Sequence, residues 1–145
     1  MTGSVVLLDT NVVLDLLLAR KPFDKDAVAI ASAVARGELV AYIAATSVTT
    51  IHYIARKAIG TLEADRAIGR LLLLFQVAPV TELVLSSALA RAFSDFEDAV
   101  LDAAAELVSV NALITRDAEG FRLSKLPVFP RSDNQAFADK GIPAI

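Results

Sequence analysis

Short apolar segments alternate with longer amphipathic segments along the chain, and this alternation constrains the fold more than any other sequence feature. Val5–Leu8 is a short run rich in β-branched residues that ends at Asp9, as expected of a buried parallel strand. Four further segments have a similar character: Val40–Ala44, Phe75–Val80, Ala112–Thr115 and Val128–Phe129. Strands separated by helices predict an α/β fold of three layers, α/β/α, with a central, mostly parallel sheet of four to five strands.

The segments between these strands have the spacing and end signals of helices. We expect helices over residues 11–18, 24–36, 46–58, 61–74, 81–93 and 96–108. Gly37 and Gly60 end two of them. The candidate N-caps are Asp9 or Thr10, Thr46 or Ser47, Thr81, and the capping-box pattern of Ser94-Asp95-Phe96-Glu97. The tail from Arg131 fits no element, and the length predicts a single domain over residues 1–145.

The chain contains no cysteine and one histidine, His52, among its 145 residues. The lack of cysteine excludes disulfides, thiolate zinc sites and cysteine nucleophiles. One imidazole is too few for a histidine metal cage, and we expect His52 to be a partly buried helix residue. Any metal ion must therefore be held by oxygen ligands, which favours Mg²⁺ or Mn²⁺.

The composition is that of a folded domain, with 55% hydrophobic and 21% charged residues. This apolar share leaves two interpretations open, namely a surface buried against a second copy or another protein, or a tightly packed helical domain. No apolar run reaches the ~20 residues that span a bilayer, and no basic signal-peptide region precedes Val5. We therefore expect a cytoplasmic protein without a membrane segment.

The net charge of −3 provides no global positive field for binding nucleic acid. Basic residues nevertheless cluster at three places: Arg20 with Lys21, Arg56 with Lys57, and Arg116 with Arg122 and Lys125. Each cluster is either an ordinary solvated surface or a local contact for RNA.

Carboxylates stand at three positions that a parallel sheet brings to one edge. Asp9 directly follows the first predicted strand, and Asp117 follows the Ala112–Thr115 strand. Ligands of open α/β sheets bind beyond the carboxyl ends of the strands, so both side chains are expected there. Asp98 lies in the first turn of the last predicted helix, where the helix dipole favours negative charge, and Asp102 follows on the same face.

Carboxylates gathered in one crevice repel each other, and a hard divalent cation relieves this repulsion. Mg²⁺ usually keeps several waters, leaves room for phosphate oxygens and lowers the pKa of a bound water. Such a site could hydrolyse a phosphodiester without a nucleophilic side chain. Taken singly, Asp9, Asp98 and Asp117 have a simpler interpretation as cap, helix-dipole and turn residues, and the residues alone leave both interpretations open.

Three segments, in this order and at this separation, resemble the motifs of PIN domains. Residues 5–15, Val-Val-Leu-Leu-Asp-Thr-Asn-Val-Val-Leu-Asp, are similar to the opening strand and motif of that family. Asp95-Phe96-Glu97-Asp98-Ala99-Val100 is similar to the third motif, and Leu113-Ile114-Thr115-Arg116-Asp117 to the last strand and its acidic end. The resemblance covers about residues 4–130 and implies the same α/β/α fold.

The resemblance implies a Mg²⁺- or Mn²⁺-dependent endoribonuclease, often the toxin of a toxin–antitoxin pair and often a homodimer. Asp9, Asp98 and Asp117 match the metal-coordinating catalytic carboxylates of the family. Asn11 matches the polar residue that steadies the first of them, and Thr115 matches the hydroxyl that orients water or phosphate beside the last. The implied partners are an RNA substrate, an antitoxin protein and a second copy of the chain.

One position departs from the family pattern. The family usually carries a second acidic residue on the helix after strand two, and the matching residue here is Thr50, whose hydroxyl could contact an ion through water. Glu63 or Asp102 could compensate. Gly120 stands where relatives often carry an acidic residue, and we expect Asp15 to be a solvated or capping residue. The alternative function is a catalytically impaired PIN domain that acts as a protein- or RNA-binding module.

Two other enzyme classes are less compatible with the sequence. A phosphatase of the haloacid-dehalogenase type also has an aspartate after its first strand, but its second acidic position is Asn11 here, which cannot act as a general acid or base. A dinucleotide-binding domain would need a glycine-rich loop after the first strand, and none is present.

Overall fold

Five parallel strands form the central sheet of the computed structural model, which describes residues 4–130. The strands are β1 (Ser4–Leu8), β2 (Leu39–Ala44), β3 (Gln76–Ala78), β4 (Ala112–Thr115) and β5 (Val128–Pro130). Their order across the sheet is β3-β2-β1-β4-β5, and every neighbouring pair is parallel. The predicted α/β fold with a parallel sheet is therefore confirmed. The tail from Arg131 lies outside the described residues, and the single domain over 1–145 stays a prediction.

The helices that connect these strands cover both faces of the sheet. They are α1 (Thr10–Leu17), α2 (Asp24–Ala35), α3 (Ala45–Ile59), α4 (Thr61–Leu74), α5 (Glu82–Leu89) and α6 (Phe96–Leu107), followed by a 3₁₀ helix (Ala118–Phe121). The predicted 81–93 helix was too long, because α5 already ends at Leu89. Within residues 4–130, no helix is both long and apolar enough to cross a membrane.

The core is divided by the sheet into two clusters, which gives the three predicted layers. One cluster packs α1 to α4 against one face, and the other packs α5 and α6 against the opposite face. On β1, Val6 and Leu8 belong to the first cluster and Leu7 to the second. This assignment follows from the two-residue side-chain period of a strand, and it makes β1 a fully covered central strand.

Several helix ends differ from the sequence-based expectation. Thr81 caps α5 as predicted, its hydroxyl accepting a hydrogen bond from the Val84 N–H. However, α3 begins one residue before Thr46 and has no side-chain cap. At α6 the cap is Asp95, whose carboxylate accepts from the Asp98 N–H at 3.0 Å, so the capping box predicted from Ser94 was wrong.

Two predicted capping hydroxyls are used between helices instead. The hydroxyl groups of Thr10, the first residue of α1, and Ser47 of α3 form a buried hydrogen bond of 2.8 Å. This bond fixes the start of α1 against α3, beside the carboxyl end of β1. The two hydroxyls therefore form a tertiary contact between residues 37 positions apart and not the helix caps that the local sequence predicts.

Candidate active site

A cavity of about 300 Å³ opens at the carboxyl ends of β1 and β4. Its lining residues come from α1, α3, the α6 N-terminus and the loop after β4: Asp9, Thr10, Asn11, Leu14, Thr50, Ile54, Asp95, Glu97, Asp98 and Asp117. Five of these ten residues are acidic. The three aspartates predicted for the site are thus brought to one crevice, at the edge of the sheet where they were expected.

Asp9 is the deepest carboxylate of the site, with 8% of its surface exposed. Its N–H donates to the Ile114 carbonyl, which continues the β1–β4 pairing by one residue. Its Oδ2 accepts a hydrogen bond of 2.7 Å from the Thr115 hydroxyl. The partner that holds this carboxylate is therefore Thr115, whereas Asn11, predicted for that task, is exposed at the rim of the cavity.

Thr115 also fixes the loop that carries Asp117. Its fully buried hydroxyl oxygen accepts a hydrogen bond of 2.9 Å from the Asp117 N–H while it donates to Asp9. Asp117 then caps the 3₁₀ helix, because its carboxylate accepts from the Gly120 N–H at 3.1 Å. One hydroxyl thus joins the Asp9 carboxylate to the Asp117 backbone, two residues that lie 108 positions apart in the sequence.

Asp98 approaches the same point from the first turn of α6. A Cβ atom placed on Gly120 would lie 3.1 Å from Asp98 Oδ2 and 2.9 Å from Asp117 Oδ2. Both carboxylates therefore point at the small volume that the missing side chain leaves open. Glycine permits this approach, since any larger side chain would have to displace one of the two oxygens.

The electrostatics of the site are those of crowded negative charge. Partial burial, followed by repulsion from Asp9, Asp95, Asp117 and Glu97, raises the pKa of Asp98 to about 7. Burial also raises the pKa of Asp9, and the Asp117 charge adds to this effect, although hydrogen bonds from Thr115 and from the Thr10 backbone oppose it. A site in this state favours either protons or a cation over free carboxylates.

Asp95 and Glu97 are the acidic residues that sequence analysis did not assign to the site. Both line the cavity, and the Asp9 and Asp95 charges contribute, after partial burial, to a raised pKa of Glu97. The available signal was their position directly before and directly after Phe96 at a helix start. The sequence places these two residues in the capping pattern and in the third motif but predicts no role at the site for them, and in the structure only Asp95 is a cap.

Thr50 lines the cavity from α3, as its match to the family position implies. Its hydroxyl donates to the Thr46 carbonyl one turn earlier at 3.3 Å, so its oxygen keeps a lone pair for a further partner. The two carboxylates that could replace the acidic residue missing at Thr50 lie outside this cavity. Glu63 is an exposed residue of α4 paired with Arg66, and Asp102 faces a different cavity. The nearest additional carboxylates at the site are instead Asp95 and Glu97.

The prediction for Asp15 was wrong, because this residue is fully buried and not solvated. Arg116 Nε lies 2.9 Å from Asp15 Oδ2, and Arg116 Nη2 donates to Oδ1 at 3.2 Å. Arg20 Nε lies 3.8 Å from the same carboxylate, and the Arg116 guanidinium stacks over the Phe23 ring at 4.1 Å. Since Arg116 stands between Thr115 and Asp117, this ion pair anchors the loop of the site to α1.

Asp102, predicted to share a face with Asp98, anchors α6 one turn further on. Its buried carboxylate accepts hydrogen bonds from Arg91 Nη1 and from the Ser124 hydroxyl, and Arg91 also pairs with Glu106. These contacts tie α6 to the end of α5 and to the loop after the 3₁₀ helix. His52 is partly buried on α3 as predicted and bonds Asp65 at 2.6 Å.

The donor set fits a hard divalent cation. Every polar ligand candidate is a carboxylate, hydroxyl or amide oxygen, and the repulsion that raises the Asp98 pKa is what a cation would relieve. Among residues 4–130, no three carboxylate or imidazole side chains are close enough to enclose an ion by themselves. An open arrangement is compatible with Mg²⁺, which usually takes one or two carboxylates and completes its shell with water.

Several solved structures of bacterial proteins have the same fold. FitAcB from Neisseria gonorrhoeae superposes with a TM-score of 0.64 at 21% identity, covering 87% of this chain and 97% of that one. VapBC2 from Rickettsia felis, bound to a DNA fragment from its promoter, gives 0.65 at 10% identity, with 86% and 97% covered. Mycobacterium tuberculosis VapC20, a sarcin-ricin loop cleaving toxin, gives 0.61 at 16% identity, with 97% and 98% covered.

At these identities the structural similarity shows a shared fold. No curated protein is similar enough in sequence to match the chain. The sequence model of the PIN domain, in contrast, matches residues 5–119, a range that includes Asp9, Asp98 and Asp117. The chain therefore belongs to the PIN domain family.

Proposed function

We propose that this protein is a Mg²⁺- or Mn²⁺-dependent endoribonuclease that hydrolyses RNA phosphodiester bonds, and that it is the toxin of a toxin–antitoxin pair. The observation that carries the proposal is the convergence of Asp9, Asp98 and Asp117 from three separate elements on one open crevice. The mutual repulsion that raises the Asp98 pKa to about 7 supports it, since such a charge cluster favours a cation.

In this proposal Asp9, Asp98 and Asp117 hold the ion together with bound waters, and Thr115 fixes the Asp9 carboxylate and the Asp117 backbone relative to each other. Thr50 and Asn11 orient water or phosphate from the rim, where both line the cavity. When bound, the ion supplies Lewis-acid activation of the phosphate and lowers the pKa of the attacking water. Asp95 and Glu97 add negative charge that strengthens the preference for a cation.

Cleavage of RNA with and without divalent metal tests the proposal. We expect the wild type to cleave with Mg²⁺ or Mn²⁺ and to stop when EDTA is added. Asp9→Asn should lower the rate by at least about 100-fold, since even outer-shell partners of a metal are worth 10–100-fold. Glu63→Gln is the matched control, because it removes an exposed carboxylate outside the cavity. Cleavage that survives both EDTA and Asp9→Asn would refute the proposal.

The alternative is a catalytically impaired PIN domain that binds protein or RNA. Its specific support is Thr50, a neutral residue where the family usually has an acidic ligand. Thr50→Asp distinguishes the two functions, because it restores the carboxylate without changing the cavity. A wild type without activity and a Thr50→Asp variant that cleaves would favour the binding module. Comparable activity in both would favour the endoribonuclease.

We also propose an antitoxin protein as a partner and the cytoplasm as the site of action. The support is the similarity in fold to FitAcB, to VapBC2 and to a toxin–antitoxin complex from Klebsiella pneumoniae. Co-purification with the product of a neighbouring gene tests this. Loss of RNA cleavage on adding that product is the expected result.

A second copy of the chain is the other proposed partner. On its solvent side, helix α5 exposes two leucines, Leu83 and Leu89, which we call the α5 leucine face. Leu83 and Leu89 are each more than 70% exposed, although they lie on a helix whose inner side packs in the core. Burying these side chains between two identical helices would form a symmetric interface.

A further inference from the structure

The outer surface of α3 carries an aromatic ring enclosed by two cations. Tyr53 is 52% exposed, Lys57 Nζ lies 4.4 Å from its ring centroid, and the Arg56 guanidinium carbon lies 5.7 Å from it. Arg56 and Lys57 are themselves exposed. We call these three residues the α3 patch.

The cations of the α3 patch differ in their neighbours from the exposed arginines that form ion pairs, such as Arg36 and Arg66. Arg36 pairs with Glu38, and Arg66 pairs with Glu63, so each of these charges is locally neutralised. Within residues 4–130, neither Arg56 nor Lys57 forms an ion pair with a carboxylate. The patch is therefore a local positive surface on a chain whose net charge is −3.

The same helix connects this patch to the acidic cavity. Thr50 and Ile54 of α3 line the cavity. Tyr53 stands three residues after Thr50, and Lys57 stands three residues after Ile54, so the patch continues the helix face that the cavity begins. Seven residues of helix span about 10 Å, so the positive surface starts close to the carboxylates.

We propose that the α3 patch binds the single-stranded part of the RNA that adjoins the cleaved phosphodiester, with one base stacked on Tyr53 and phosphates near Arg56 and Lys57. This inference rests on the proposed endoribonuclease function and defines where its substrate lies. Stacked aromatic rings between cations are typical of sequence-tolerant binding to single strands. They also solve an electrostatic problem, because five carboxylates in the cavity repel a polyanion and a nearby positive surface offsets that repulsion.

An acidic protein surface is the competing ligand for the arginine and the lysine of the α3 patch. It would use the charges and leave the flat face of Tyr53 without a function, whereas a nucleobase uses the ring and the charges together. Tyr53→Phe and Tyr53→Ala separate these cases. The first keeps a stacking ring and the second removes it, while both leave the two charges in place.

Fluorescence anisotropy with a labelled single-stranded RNA of about 12 nucleotides, in EDTA, tests the inference apart from catalysis. We expect Tyr53→Ala to weaken binding by about tenfold and Tyr53→Phe to bind like the wild type. Lys57→Gln should reduce the slope of log affinity against log salt by about 0.7, the value for one phosphate contact on a single strand. Leu73→Ala and Lys25→Gln are the matched controls, exposed residues of α4 and α2 that should leave affinity unchanged.

The outcomes for the two proposals are distinguishable. Equal RNA affinity of the wild type and Tyr53→Ala, or no RNA binding by the wild type at all, would overturn the inference. Loss of antitoxin or protein binding in Lys57→Gln with unchanged RNA affinity would overturn it in favour of a protein ligand. The proposed function fails separately, if the wild type binds this RNA but cleaves no RNA with Mg²⁺ or Mn²⁺.

Discussion

At the scale of single residues, the site depends most on Thr115. Its one hydroxyl donates to Asp9 and accepts from the Asp117 backbone, so the hydroxyl is satisfied on both sides in a fully buried position. Serine would provide the same bonds with less packing, and valine would provide the packing without the bonds. The residue is therefore a bridge between the carboxylate that follows β1 and the backbone of the loop that follows β4.

Thr115→Val tests this bridge, because it preserves shape and removes both hydrogen bonds. We expect the free energy of unfolding to fall by about 1–3 kcal/mol, the cost of leaving a buried acceptor without its donor. Urea denaturation followed by circular dichroism measures the change. Thr49→Val, at an exposed position of α3, is the control and should stay within about 0.5 kcal/mol of the wild type. A similar loss in both variants would assign the effect to a general cost of replacing threonine by valine and not to the bridge.

The raised pKa of Asp98 predicts an unusual pH dependence of stability. A carboxyl with a folded-state pKa of about 7 and an ordinary value of 3.8 holds its proton more tightly in the native state. Its contribution to stability is complete below about pH 4 and is lost as the pH rises through about 7. The melting temperature of the metal-free protein should therefore decrease as the pH is raised from about 4 to about 7. Differential scanning fluorimetry measures this change.

Asp98→Asn provides the matching control for this pH effect. The amide does not titrate, so the decrease in melting temperature should become smaller in the variant. Mn²⁺ should reverse the trend in the wild type, because only ionised carboxylates bind the ion and binding stabilises the folded state. A melting temperature that rises toward pH 7 in the metal-free wild type would contradict the assignment.

At the scale of elements, the sequence predicted the strands better than the contacts of the helices. Val5–Leu8 is a strand because its β-branched side chains are buried on both faces, and that signal is local. The environment of Asp15 is not local, since its partner Arg116 lies 101 positions away. A helix pattern cannot show whether a polar residue faces water or a distant guanidinium. The same limit explains why Thr10 and Ser47 were interpreted as caps.

The Asp15–Arg116 ion pair is the element-scale contact with the clearest energetic consequence. Asp15→Asn would leave Arg116 partly buried without its counter-charge, and we expect a loss of about 3 kcal/mol of stability. Glu38→Gln breaks the exposed pair with Arg36 and should cost less than about 1 kcal/mol. Guanidinium denaturation of both variants checks the difference. Equal and small losses would mean that Arg116 finds solvent once its partner is neutral.

At the scale of the whole molecule, the strand order determines where the site lies. The chain runs from β1 to β2 and β3 on one side and then returns to β4 and β5 on the other. The strand order reverses between β1 and β4. The connection that leaves β1 leads to β2 on one side, whereas the connection that leaves β4 leads to β5 on the other side. Asp9 follows one of these strands and Asp117 follows the other, so the crevice is the topological switch point of the sheet. The edge was predictable from the sequence, whereas the contribution of Asp95 and Glu97 required the packing of α6.

The α5 leucine face predicts the assembly of the molecule. Leu83→Glu combined with Leu89→Glu should convert a dimer to a monomer, because two charges would be buried in the symmetric interface. Light scattering coupled to size exclusion measures the mass. Leu73→Glu is the control, since Leu73 on α4 is 90% exposed and lies outside this face. A wild type that is already monomeric, or a double variant that stays dimeric, would exclude this interface.

Gly120 also gives the site a position for chemical labelling, because it is the residue next to which the Asp98 and Asp117 carboxylates lie. The sequence contains no cysteine, so Gly120→Cys would introduce a unique thiol beside the Asp98 and Asp117 carboxylates. Its backbone does not have the positive φ of Gly37 and Gly60, so a side chain can be carried there once the flexible carboxylates shift. A fluorophore attached to that thiol would report occupancy of the crevice by its emission. A free thiolate would favour soft ions such as Zn²⁺ over Mg²⁺. Position 120 can therefore be used in two ways: a labelled thiol reports whether the crevice is occupied, and a free thiol changes which metal ion the crevice prefers.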